Sequence, residues 1–157
     1  MKERLSSAGI LLFRRHEALE LLLVHPGGPF WRNKDIGAWQ IPKGLIAPGE
    51  APLAAAIREA GEELGRAPEG VAIPLGEIRQ KGGKHVVAFA IEGDFDPALL
   101  ASNHFEMEWP SGSGRMQHFP EVDRARWFDV NAARGAMLPS QLPLIDRLVD
   151  LLAPEQR

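Results

Sequence analysis

Residues 51–64 are the stretch whose local form leaves the least choice. Pro52 falls in the first turn of a helix, where a missing N–H does no harm, and Gly65 supplies the stop. At about 100° per residue, Leu53, Ile57, Ala60 and Leu64 share one face, the expected core face. Glu59, Glu62 and Glu63 share another, because they stand at i, i+3 and i+4. Three carboxylates so placed repel one another by roughly a few tenths of a kcal/mol per pair when solvated, and by more when enclosed. Two readings explain why a chain tolerates that. One is a solvated acidic face. The other is a hard-cation site, since oxygen donors suit Mg2+ or Mn2+, which bind through a few carboxylates and substrate phosphates. Arg58, one turn before Glu62, is placed to orient that carboxylate.

The rest of the chain reads as an α/β frame around this helix. Residues 7–13 and 19–24 are expected to be buried strands joined by a turn at 16–18. Residues 25–37 form an irregular loop, long enough to suspect function. Residues 39–42 are short and extended, ended by Pro42, and 47–50 make a second loop. Residues 71–78 and 85–91 read as strands around the Gly82-Gly83 turn. Residues 95–103 are a helical turn or loop, 105–109 alternate, 110–119 are a polar loop, and 125–130 are a last strand. Ser140 is the expected N-cap of a final helix over 141–152, with Leu144, Ile145, Leu148, Val149 and Leu152 as its apolar stripe. No repeat or linker interrupts the order. Residues 1–157 are therefore expected to form one α/β domain, a mixed sheet with helices on its faces.

Composition narrows the function. The formal net charge of −3 argues against a general nucleic-acid binder, yet a mildly acidic phosphate binder must neutralise its ligand, and divalent metal does so. The absence of cysteine excludes a disulfide framework, a zinc–thiolate site and a cysteine nucleophile, and suits a reducing cytoplasm. No apolar stretch approaches the roughly 20 residues of a membrane span, and residues 1–5 lead toward a strand without a signal-peptide core.

The surroundings of the acidic helix decide between its two readings. Gly44, then Glu50 after five residues, then Arg58-Glu59-Ala60-Gly61-Glu62-Glu63-Leu64-Gly65 after seven more, resembles the Nudix box at all of its fixed positions. With common residues at about one in fifteen each, a chance match in this chain is on the order of one in a million. Ala60 is small for the first aliphatic position, and Arg66 replaces the last one. The resemblance implies a Nudix-type α/β/α sandwich. It also implies Mg2+ (or Mn2+) held by Glu59, Glu62 and Glu63 with the Lys43 carbonyl, and a brace from Glu50 and Arg58. The implied reaction is hydrolysis of a phosphoanhydride in a nucleoside diphosphate-linked substrate. The base is either one of the box glutamates or a carboxylate from a later loop; Glu106, Glu108 and Glu121 are the candidates there, with Glu121 favoured over Glu108 and Glu108 counted among the metal ligands.

Residues 39–44, Trp-Gln-Ile-Pro-Lys-Gly, resemble the box-leading segment of dinucleoside polyphosphate hydrolases and of RNA 5′-pyrophosphohydrolases. Lys43, Arg79, Lys81 and Lys84 are candidates for the phosphates, and Trp31 or Phe30 for a base. The tyrosine that several dinucleoside polyphosphate hydrolases carry past the box is absent, with Gly82-Gly83 in its place, and Gln80 stands where ADP-ribose hydrolases carry a proline, so these positions leave specificity open. On the resemblance of residues 39–44, dinucleoside polyphosphates are the first substrate class expected. Oxidised or noncanonical triphosphates, or nucleotide sensing without cleavage, are the alternatives. The expected partner is a small nucleotide, with the chain a monomer or homodimer; the five histidines are assigned no metal role.

Overall fold

The computed structural model describes residues 6–153; the leading residues 1–5 lie outside it, as does the Lys81 side chain. The strands are β1 (Ser6–Arg15), β2 (Leu19–Pro26), β3 (Lys43–Leu45), β4 (Ala72–Arg79), β5 (His85–Glu92), β6 (His104–Glu108), β7 (Met116–Pro120) and β8 (Val122–Asp129). The helices are α1 (Pro52–Leu64), α2 (Val130–Ala136) and α3 (Leu142–Leu152). The main sheet runs β4-β5-β1-β2-β8, with β3 on β1. β1 and β5 are parallel and the other pairs antiparallel, so the sheet is mixed.

The central strands bury both faces, which is why they read as near-continuous apolar runs. Alternation sorts them into two cores. Ala8, Ile10 and Leu12 of β1 join Leu22 and Val24 of β2 beneath α1, against Ala56, Ala60 and Leu64. Leu11, Phe13, Leu21 and Leu23 face the other way, toward Leu144, Ile145 and Leu148 of α3 and Ala133 of α2. The result is a sheet between helices. Among the described residues no helix is long and apolar enough to cross a membrane.

One departure from a plain sheet makes the site. β2 pairs with β1 only from Phe13↔Leu21 to Arg15↔Leu19. Further along the same edge of β1 its place is taken by β3, from Ser7↔Leu45 to Gly9↔Lys43. The chain from Trp39 to Leu45 is driven between β1 and β2 as a wedge. Gln40 exchanges both backbone bonds with Val24 (2.8 and 2.9 Å), and Pro42 O accepts from Ile10 N–H (3.1 Å). Gly9 allows the close approach, since a Cβ there would stand 2.6 Å from Pro42 O. The splay opens the sheet edge beside α1.

The structure corrects four local expectations. The buried face of α1 is Ala56, Ala60 and Leu64, with Ala55 also enclosed, while Leu53 is 37% exposed and Ile57 half-buried. Alanines let the helix lie close to β1, and Leu53 overhangs the first turn. Within 110–119, expected to be loop, residues from Met116 on form β7 paired with β6. That ribbon is largely solvated, so no apolar alternation marks it. α2 was not expected; it follows β8 directly, capped by Asp129, whose carboxylate accepts from Ala132 N–H (2.8 Å). Ser140 does not cap α3: the turn Pro139–Gln141 leads in, and Gln141 stands at the cap position without a side-chain capping bond to the helix.

Candidate metal centre

The cleft starts from a clamp. Arg58 reaches back from α1 to Glu50, with Nε on Oε2 (2.8 Å) and Nη2 on Oε1 (2.9 Å). Nη2 also donates to Leu45 O (3.0 Å), and Glu50 accepts the Ala47 N–H (3.0 Å). One planar fork thus ties helix, loop and β3 together, a geometry lysine cannot supply. The fork holds the Glu50 carboxyl well below its usual range, at about 2, mainly through the Arg58 hydrogen bonds, and the guanidinium pKa is raised in return.

The three box glutamates then diverge according to their place on the helix. Glu62 points to solvent and meets Arg58 Nη1 at 3.2 Å. Glu59 lies over β3, where a Cβ on Gly44 would fall on its carboxyl group. Glu63 stands about 20° around the helix from Ala56, at the border of the core face. Its carboxylate is therefore carried toward the sheet, where Oε1 accepts the Lys43 N–H (3.2 Å). Burial pushes Glu63 up to about 8, and Glu121 and Glu59 add to the rise against Lys43. Glu59 is raised too, first by burial and then by Glu62.

These shifts have a consequence for stability. Between the ordinary 4.5 and about 8 the folded chain keeps a proton on Glu63 that the unfolded chain has released. Stability must fall as pH rises through that window. In metal-free buffer the melting temperature should drop from pH 5 to 8, and Glu63→Gln should flatten the drop while keeping an acceptor for Lys43 N–H. An equal slope in both proteins would show that Glu63 ionises normally in the fold.

A cleft of about 850 Å3 spreads from these carboxylates. Glu59, Glu62 and Glu63 form one wall and Glu121 stands on it from the turn between β7 and β8. Lys43, Lys84 and Trp31 line it as well, with Lys34 Nζ 5.3 Å from the Trp31 ring centre. Glu108 does not line it. Its carboxylate accepts from Gly112 and Gly114 N–H (2.8 and 3.0 Å) and shapes the β6–β7 turn. Arg79 is exposed at the end of β4 and is likewise not among the lining residues, and Phe30 packs on Trp109 at 5.6 Å. His25 is fully buried, its ring nitrogens on Asp123 Oδ1 and Lys34 O, so it anchors the 25–37 loop. Gln40, Gln80, Asn103 and Ser140, none of them expected in the site from the sequence, also line the cleft. They carry no charge and no spacing, so only the fold brings them there.

Among the described residues no three His, Asp or Glu side chains form a ready-made ligand group. Arg58 holds Glu62, and Glu63 turns to the Lys43 N–H. The donor set nonetheless fits a hard cation, because it is all oxygen, and burial first and neighbouring carboxylates second raise the pKa values of Glu59 and Glu63.

A mixed sheet between helices, splayed where an acidic helix crosses it, defines an α/β/α domain of the Nudix type. The chain belongs to the NUDIX domain family, whose model matches residues 3–148. The fold is similar to that of an Ap4A hydrolase of C. elegans (TM-score 0.63, 19% identity, 93% of this chain and 97% of that one). It is also similar to the NUDIX domain of Shewanella oneidensis NrtR, solved with ADP ribose (TM-score 0.67, 19% identity, 98% and 91%). An RNA pyrophosphohydrolase of Roseobacter denitrificans is 50% identical over 38 residues, a match spanning 24% of each chain.

Proposed function

We propose that this protein is a divalent-metal-dependent hydrolase that cuts a phosphoanhydride bond in a nucleoside diphosphate-linked substrate, with dinucleoside polyphosphates as the preferred class. The observation that carries the reading is the cleft itself, which is lined by four glutamates, two lysines and a tryptophan. Carboxylates alone would repel a polyphosphate, and lysines alone would have no use for the crowded acids.

Glu59, Glu62 and Glu63, with the Lys43 carbonyl, would hold Mg2+ or Mn2+. Bound there, such an ion polarises a phosphate and lowers the pKa of a water. The chain's own residues do the rest. Arg58 keeps Glu62 aimed and Glu50 keeps Arg58 in place. Glu121 takes the proton from the attacking water. Lys43 and Lys84 bind phosphate oxygens as point charges, with Arg79 as an outlying cation for a longer chain. Trp31 stacks on a base. At about 850 Å3 the cleft is at the large end of the usual 300–1,000 Å3 range, which leaves room for a second nucleoside. The solved Ap4A hydrolase of similar fold supports the same class. The protein is read as acting in a reducing cytoplasm as a monomer or homodimer.

Purified protein with Mg2+ or Mn2+ should hydrolyse diadenosine polyphosphates faster than normal or oxidised triphosphates, ADP-ribose or capped RNA, with products read by chromatography. Faster cleavage of an oxidised triphosphate would replace the substrate class. Tight binding without turnover of any would favour a nucleotide sensor. Glu121→Gln should lower kcat by about a hundredfold, the low end of general-base effects. Glu108→Gln should leave kcat near normal, because that carboxylate serves its own turn. The reverse ranking would move the acid to β6.

A further inference from the structure

The wedge that carries Lys43 and Gly44 also carries Gln40, and Gln40 is held from behind. Gln141, fully buried at the start of α3, accepts the Ile41 N–H through Oε1 (3.0 Å). That leaves its amide nitrogen to donate to Gln40 Oε1, 3.5 Å away. An amide whose oxygen is engaged behind it turns its NH2 the other way, and Gln40 lines the cleft. The same turn holds a second cleft glutamine, since Gln80 Nε2 donates to Ser140 Oγ (3.3 Å). The Trp39 backbone is tied to this region as well, through Ala136 O (3.0 Å) and Leu138 N–H (2.8 Å). The lead-in to α3 thus sets the polar wall of the cleft while contributing no charge to it.

We propose that Gln40 is a specificity-determining residue whose NH2 donates to an acceptor atom on the substrate's nucleobase, and that Gln141 is the positioning residue that fixes this polarity. The proposal rests on the reading of the cleft as a nucleotide site. Phosphate is served by the lysines, whose charged donors bind it about twice as strongly as a neutral amide. A neutral amide of fixed direction is what tells one base edge from another. A buried partner that accepts from the backbone cannot flip without orphaning Ile41 N–H, so the direction is preset before substrate arrives.

Calorimetry tests this with Mg2+ and methylene-bridged, non-hydrolysable triphosphates of adenosine, guanosine, cytidine and uridine, with tripolyphosphate as the base-free probe. The wild-type protein should rank the four bases. Gln40→Leu should narrow the spread of their Kd values by about tenfold, the size of one hydrogen bond, and move tripolyphosphate less than about twofold. Gln141→Met should narrow the spread alike, and should add nothing in the Gln40→Leu background. A merely structural Gln141 would lower Tm in both backgrounds and leave the ranking alone. Should Gln141→Met fail to fold, Gln141→Glu keeps an acceptor for Ile41 N–H and takes its place; Gln40→Leu decides the base contact in either case. The proposal is overturned by a ranking that survives Gln40→Leu, by four bases bound equally in the wild type, or by additive effects of the two substitutions. Equal weakening of all four and of tripolyphosphate also overturns it and moves the contact to phosphate. Binding of none of the triphosphates would instead overturn the nucleotide reading beneath it.

Discussion

Glu62→Gln should lower kcat by about a thousandfold and leave the fold intact. The magnitude follows from the several kcal/mol that a bound metal contributes to phosphoryl-group chemistry, at about 1.4 kcal/mol per factor of ten. The second half of the expectation separates this residue from its neighbours. Glu62 is an exposed residue; its side chain is 42% accessible and its carboxylate meets Arg58 Nη1 at 3.2 Å. It stands one turn from Glu59, whose pKa it raises, so the pair is repulsive in the metal-free chain. Removing its charge should therefore hold the melting temperature or raise it slightly, while activity collapses. That opposition is the mark of a group kept for function at a cost in stability. Kinetics with saturating Mg2+ and a thermal melt on the same preparation check it. Near-normal kcat would remove α1 from the chemistry, and a melting temperature several degrees lower would mean that Glu62 is structural.

The place of Glu62 on the cleft wall, beside Glu59 and Glu63, was legible because a helix with marked ends converts spacing into direction. The same holds for the apolar stripe of α3, whose Leu144, Ile145 and Leu148 are buried as expected. The central strands were legible because burial on both faces leaves long apolar runs. Legibility ended where neighbours distant in sequence decide. The rotation of α1 onto its alanines depends on how closely β1 allows a helix to approach. β7 has no buried face to leave a pattern, and α2 is too short for one. Along the chain Glu121 is favoured over Glu108 only by its place before the last strand; in the fold Glu108 serves the glycines of its own turn and Glu121 lines the cleft. Lys43, Lys84 and Trp31 come to the box glutamates from the wedge between β1 and β2, the β4–β5 connection and the 25–37 loop, a convergence with no local signature. Gln40 and Gln141, 101 residues apart, meet in the same way.

Gly44→Ala should cost nearly as much activity as losing Glu59 outright, about a thousandfold, although it adds only a methyl group. Gly44 pairs with Ala8 in the β3–β1 ladder and does not have the positive φ that a side chain avoids, so its backbone accepts alanine. The obstacle is that the new Cβ would occupy the space of the Glu59 carboxyl carbon and both its oxygens. Backbone on one side and a helix on the other leave β3 little room to retreat, because Leu45 O and Glu50 are held by the Arg58 fork. Glu59 must then swing out of the cleft, and the metal loses one of its proposed ligands. The claim is separable from general damage by a double-mutant cycle. If the harm passes through Glu59, then Gly44→Ala should add almost nothing to Glu59→Ala, in which the colliding carboxylate is already gone. Two effects that multiply would mean that the methyl group disturbs the Lys43–Leu45 strand itself, and Gly44 would be explained by the sheet rather than by the site. The melting temperature gives an independent reading. It should fall in Gly44→Ala through the clash and recover in the double variant, because truncating Glu59 opens the space the methyl group needs and removes a half-buried carboxyl whose pKa is raised.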